Sequence, residues 1–199
     1  MDGISKKDEL FLRLFPPRIT SNLHRSSTIS DRRSHQTRCI KIYIIMDWKQ
    51  TATTRRQAQQ AAIPPAWRLS PATLKASRNT NSTLQTIRTC GILTPQELQW
   101  TEVSEIRPLL ARLATRKITS EQLTLAFCKR AALAQQLTGC LTEIFFDRAL
   151  AQARERDAYL QRTGRLMGPL HGLPVSIKDR FDVEGFDTTV GAFFPSPLL

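Results

Sequence analysis

The stretch Gly168-Pro-Leu-His-Gly-Leu-Pro-Val-Ser-Ile-Lys-Asp179 decides how the rest of the chain is read. Two prolines and two glycines within seven residues exclude a helix or a central strand over its first half. Val175-Ser-Ile-Lys178, by contrast, is a short β-prone run followed by polar turn residues. Lys178 is therefore predicted at a strand end. In open α/β sheets that is where ligand crevices form, because the loops leaving the sheet diverge there.

Working upstream, capping signals mark out a run of helices. Asp147 is placed to cap a helix through about Arg162, closed by Gly164, with Leu150, Ala153 and Leu160 turned inward. Before it, Thr119 and Gln122 form a capping box, and Leu123, Ala126, Phe127, Ala131, Ala134 and Leu137 follow at helical spacing to a stop at Gly139. Ser104 is placed to cap a shorter helix with Ile106, Leu109, Leu110 and Leu113 on one face, Pro108 falling in its first turn. Thr94-Pro95-Gln96-Glu97 offers the N-cap hydroxyl, N1 proline and N3 glutamate of another helix start.

Further back, residues 68–89 are rich in Thr, Ser and Asn without an apolar period and read as a long surface connection. Met46-Asp-Trp-Lys49 opens a polar helical stretch through Gln60, which Ile63-Pro-Pro-Ala-Trp67 ends. Residues 1–45 have neither helical nor strand period and read as a disordered basic extension. Its Arg and Ser content suggests a mitochondrial presequence as an alternative to a cytoplasmic location, but Asp2, Asp8 and Glu9 oppose it.

The bulk numbers narrow the function classes. With 41% hydrophobic residues in 199, the composition permits a globular core. The net charge of +12 invites a test for nucleic-acid binding. Residues 1–45 carry nine Lys or Arg against four Asp or Glu, and the remainder twenty against thirteen, so the excess is spread rather than focused. No apolar run approaches the roughly 20 residues of a membrane span. Cys39, Cys90, Cys128 and Cys140 are too scattered for a metal site and read as structural or free thiols, a usage that fits a reducing compartment.

Gly168 to Asp179 resembles the lysine-bearing motif of the amidase-signature family. Cys90-Gly-Ile-Leu-Thr, Ile118-Thr-Ser, Leu125-Ala-Phe-Cys-Lys-Arg-Ala131 and Cys140-Leu-Thr-Glu-Ile-Phe-Phe-Asp147 resemble its fungal acetamidase branch, and Ile63 to Trp67 fits that branch's usual beginning. The resemblance covers residues 46–191. It implies an α/β fold, the N-terminal portion of a mixed central sheet flanked by helices, incomplete here. The expected organisation is a basic extension over 1–45, an N-terminal helix and long connection over 46–89, and the truncated start of an amidase domain over 90–199.

The resemblance also implies a chemistry. In the family a lysine, a cis-configured serine and a nucleophilic serine hydrolyse linear carboxylic amides, and Lys178 matches the lysine. A serine hydroxyl attacking an amide carbonyl must lose its proton, and only a neutral amine can accept it. Developing charge on the carbonyl oxygen needs backbone N–H donors, which the family draws from a later glycine- and serine-rich loop. That loop and both serines have no match before Leu199, and Ala192-Phe-Phe-Pro-Ser-Pro-Leu-Leu199 reads as foreign to the family. The chain is therefore expected to retain the base lysine and to be inactive alone.

Ser176 shares a strand face with Lys178, but without an oxyanion loop it reads as a framework residue. His171, flanked by turn residues and lacking a carboxylate partner, reads as a packing or turn residue, and Glu143 and Asp147 as one solvated face. No cofactor or metal is implied, and the expected partner is a small-molecule amide rather than nucleic acid or membrane. Three function classes follow in order: an amidase fragment, an amidase-derived non-catalytic interaction module, and a basic nucleic-acid-binding protein.

Overall fold

Helix α6 (Ser120–Thr138) is the element on which most of the others pack. The computed structural model describes residues 48–80 and 83–189, so the basic extension read over residues 1–45, and Cys39 within it, lie outside the described residues. The other elements are α1 (Trp48–Ala61), a single 3₁₀ turn at Pro65–Trp67, α2 (Pro71–Thr80), α3 (Thr83–Thr89), α4 (Pro95–Thr101), α5 (Arg107–Ala114) and α7 (Phe146–Thr163).

The centre of α6 is wholly apolar on two sides, and this is why it takes the middle. Leu123, Ala126, Ala132 and Leu133 have no exposed surface. On one side Trp100, Leu109, Leu113 and Ile118 close around Leu123 and Ala126. On the other, Leu69, Ile87 and Leu93 close around Leu133. Burying one such leucine side chain contributes about 2 kcal/mol.

The helix ends are built as their sequences specify. Thr94 Oγ1 accepts from the Glu97 amide at 3.2 Å while the Glu97 carboxylate accepts from the Thr94 amide at 2.8 Å. Thr119 and Gln122 form the same reciprocal pair, both bonds 3.0 Å. Two more amides at the start of α6 are taken by α7, whose Asp157 carboxylate accepts from Ser120 N at 2.7 Å and Glu121 N at 2.9 Å. The negative charge also faces the positive end of the helix dipole. Gly139 and Gly164 end α6 and α7 at φ of 65° and 66°, a left-handed conformation that a side chain would oppose.

Glu97 has a second partner. Lys129 Nζ on α6 donates to it at 2.6 Å. Burial pushes the Glu97 carboxyl up, but the bonds from Lys129 and Thr94 outweigh it and hold the group below its ordinary value.

Four expectations need correction. Residues 68–89 are not a bare connection, because α2 and α3 occupy most of it. Ser70 Oγ accepts from the Thr73 amide at 3.1 Å with Pro71 opening the helix, and Leu69, Leu74 and Ile87 are drawn onto the α6 face. Ser104 does not cap α5, which starts from Ile106 without a side-chain cap and leaves that isoleucine 50% exposed. Asp147 lies in the first turn of α7 rather than at its cap, which is Phe145.

The fourth correction concerns the strand expected before Lys178. Val175 to Lys178 form neither strand nor helix, and among the described residues there is no strand, so the mixed central sheet is not present in them. A strand exists only through a ladder with a neighbour, and β-propensity acts through packing on that neighbour. With no second strand beside them among the described residues, Val175 and Ile177 stand 69% and 51% exposed.

Candidate functional site

The residues around Lys178 are positioned by a glycine that has no substitute. Gly172 sits at φ of 74°, and a methyl group there would run into the Ser120 hydroxyl, with Leu113 Cδ2 only 3.3 Å away. The turn before the lysine is thus pressed against the start of α6. His171 seals it: 6% exposed, its Nδ1 accepts from the Met167 amide at 3.2 Å, which fixes the ring as a packing residue. Its Nε2 is buried without a partner among the described residues.

From that anchor the chain runs out through Leu173, which packs on the α4–α5–α6 cluster, to Lys178. Lys178 is exposed and forms part of the wall of a cleft of about 580 Å³. Phe127, Cys128 and Ala131 of α6 form its floor, the α6–α7 connection through Glu143 one side, and Asp179, Val183 and Asp187 another. Ser176 lies on the same wall but is exposed, and the two side chains are not hydrogen-bonded to each other.

Beyond Lys178 the chain folds back on itself. Phe181 N donates to Lys178 O at 3.0 Å and Phe186 N to Val183 O at 3.0 Å. Thr189 Oγ1 donates to Asp179 at 2.6 Å. Phe186 stacks on Phe145 with ring centroids 4.6 Å apart, and Arg148 both lies 5.9 Å over the Phe186 ring and donates to Glu184 O at 2.8 Å.

The charges in the cleft are predominantly acidic, and sequence reading missed how they are arranged. Glu143 does not share a solvated face with Asp147; it is partly buried and accepts from Arg55 of α1 at 3.3 Å. Arg55 also pairs with Asp187. Burial pushes the Glu143 carboxyl up; Arg55 pulls it down, and Asp187 and Asp179 push it up again. The signal was present as one acid inside the apolar run Leu141-Thr-Glu-Ile-Phe-Phe146, a position where a charge needs a partner.

The thiols carry no comparable chemistry. Cys90, Cys128 and Cys140 are free. Burial, reinforced by Asp147, pushes the Cys128 thiol up to about 12, so it stays protonated and inert. Among the described residues no three His, Cys, Asp or Glu side chains are grouped to hold a metal ion, and no helix is long and apolar enough to cross a membrane.

Comparison with known proteins gives the family of these residues. Residues 122–195, which take in nearly all of α6, α7 and the Lys178 segment, match the Amidase family, so the match runs past Gly191 into the first four residues of the ending read as foreign. The chain is 45% identical over 144 residues to an acetamidase of Emericella nidulans, covering 72% of this chain and 25% of the relative. It is 42% identical over 149 residues to an amidase of Gibberella moniliformis, covering 73% and 28%. Among solved structures, a fatty acid amide hydrolase superposes with a TM-score of 0.61 at 33% identity, over 70% of this chain and 24% of that one. The matched residues belong to the amidase family. Within it their likeness is to fungal members of the acetamidase type, and the chain spans about a quarter of the length of these relatives.

Proposed function

We propose that this chain carries the lysine-bearing portion of an acetamidase-like enzyme that hydrolyses linear carboxylic amides, with Lys178 as the base. The observation that supports it most is the amidase match over residues 122–195, which contains Lys178 on the wall of a cleft large enough for a small amide. In this reading the amine, neutral when it acts, draws the proton through an intervening cis-configured serine from a second, nucleophilic serine. That second serine attacks the amide carbonyl, the oxyanion is held by backbone N–H groups, and the protonated lysine returns its proton to the departing amine. Among the described residues no serine is hydrogen-bonded to the Lys178 amine. Both serines and the oxyanion loop are assigned to the three quarters of the amidase length that this chain does not span. Residues 1–45 are assigned to a basic extension outside the catalytic fold, and α1 to α3 to its helical beginning.

The test is a chimera in which residues 46–191 replace the matching part of the Emericella nidulans acetamidase, assayed for ammonia released from acetamide. Activity is expected, and Lys178→Met should remove a factor of about 10²–10⁴. An active chimera indifferent to Lys178→Met would sink the assignment of the base. A folded but inactive chimera would sink the reading of this segment as competent amidase sequence and favour a non-catalytic module. The 199-residue chain alone is expected to release no ammonia.

A further inference from the structure

We propose that Arg55 is a positioning residue for the Lys178 cleft, clasping two of its walls from behind. Arg55 lies in the middle of α1, its side chain 35% exposed. Its Nη1 donates to Glu143 Oε1 at 3.3 Å and its Nη2 to Asp187 Oδ2, partners 88 and 132 residues away in the chain. Gln59, four residues further on and so on the same helix face, donates through Nε2 to the carbonyls of Leu141 at 3.2 Å and Thr142 at 2.6 Å. One face of α1 is thus tied both to the α6–α7 connection and to the segment following Lys178.

The electrostatics give the tie its importance. Glu143, Asp179 and Asp187 all line the cleft, and both aspartates disfavour ionisation of Glu143, whereas Arg55 favours it. Lys178 shares the cleft but is not ion-paired to any described residue, so it does not neutralise them. Removing the guanidinium therefore takes away the cation that favours the Glu143 carboxylate and leaves it facing Asp187 and Asp179, which disfavour it, across the gap that Arg55 now bridges. The repulsion falls on a stretch with no sheet ladder to resist it. A planar fork can serve two carboxylates at once, which an ammonium on a single stem does less well.

The proposal rests on the reading of Lys178 as a functional group only for its purpose, not for its geometry, and its test is independent of catalysis. Hydrogen exchange is measured on the full chain and on Arg55→Met. The substitution is expected to accelerate exchange in residues 140–146 and 180–189 by about fivefold, the ratio that roughly 1 kcal/mol produces, while α6 stays unchanged. Arg55→Lys should fall between the two, and supplies the comparison if Arg55→Met does not fold. Lys178→Met should leave exchange at both walls as it is, which separates this proposal from the role of the base. Unchanged exchange at 180–189 in both Arg55 variants would overturn the clasp. So would an acceleration of α6 equal to that of the cleft walls, since Arg55 would then support only global stability.

Discussion

Leu123 on α6 has no exposed surface, whereas Val175, three residues before the lysine, is 69% exposed, although both are aliphatic residues in sequences patterned for regular structure. The helical layer satisfies its requirements locally and with near neighbours: caps within four residues, apolar faces against the adjacent helix. The Lys178 segment is made of residues suited to a strand, and a strand is completed only by another strand. The difference teaches that the same physical rules leave one region finished and the other held by turns, an aromatic stack and a few charged ties.

The contrast can be broken or sharpened by substitution. The largest effect is expected from Leu123→Ala, which should lower unfolding free energy in urea by about 3 kcal/mol, while Ile177→Ala should change it by less than about 0.5 kcal/mol. Equal losses would show that the exposed segment is packed in solution. Gly172→Ala comes next, at about 2 kcal/mol, because it combines a left-handed backbone with a collision at Ser120. It tests whether the turn before Lys178 is truly anchored on α6.

Glu97→Gln should cost about 1–2 kcal/mol near neutral pH by leaving Lys129 without its charged partner. Because the folded Glu97 carboxyl lies below its ordinary value, its contribution is fully present above the unfolded-chain pKa of about 4.3. It is lost as pH falls through the folded value. The variant's stability should therefore converge on that of the parent in acid, measured by melts across that range. Thr119→Ala, which removes one half of a capping box, should cost about 1 kcal/mol. Lys178→Met is expected to move stability by less than about 0.5 kcal/mol, since the exposed amine is given no hydrogen bond or ion pair among the described residues.

What the sequence disclosed follows the same division. Capping boxes at Thr94 and Thr119 and stops at Gly139 and Gly164 were legible because their causes lie within a few residues. Ser70-Pro71 carried the same start signal as Thr94-Pro95, but the polar composition that followed concealed it, and α2 and α3 are stabilised by Leu69, Leu74 and Ile87 packing near Leu133. No local pattern marks that burial. The family of the segment around Lys178 was legible through the motif from Gly168 to Asp179. The pairing of Arg55 with Glu143 and Asp187 was not, since nothing near Arg55 indicates partners so distant along the chain.

The carboxylate of Asp157 on the first amides of α6 has a consequence for the order of assembly. It closes a helical hairpin whose two arms are neighbours in sequence, joined by the short stretch between Gly139 and Phe145. A loop that short costs little entropy to close, and local topologies form fastest. During synthesis this hairpin is expected to lock as soon as α7 emerges, before the lysine segment has left the ribosome. A series of stalled nascent chains should accordingly show protection of the Ser120 amide appearing with Leu160 exposed and Lys178 still in the tunnel. The lysine segment would then be delivered onto a template already set.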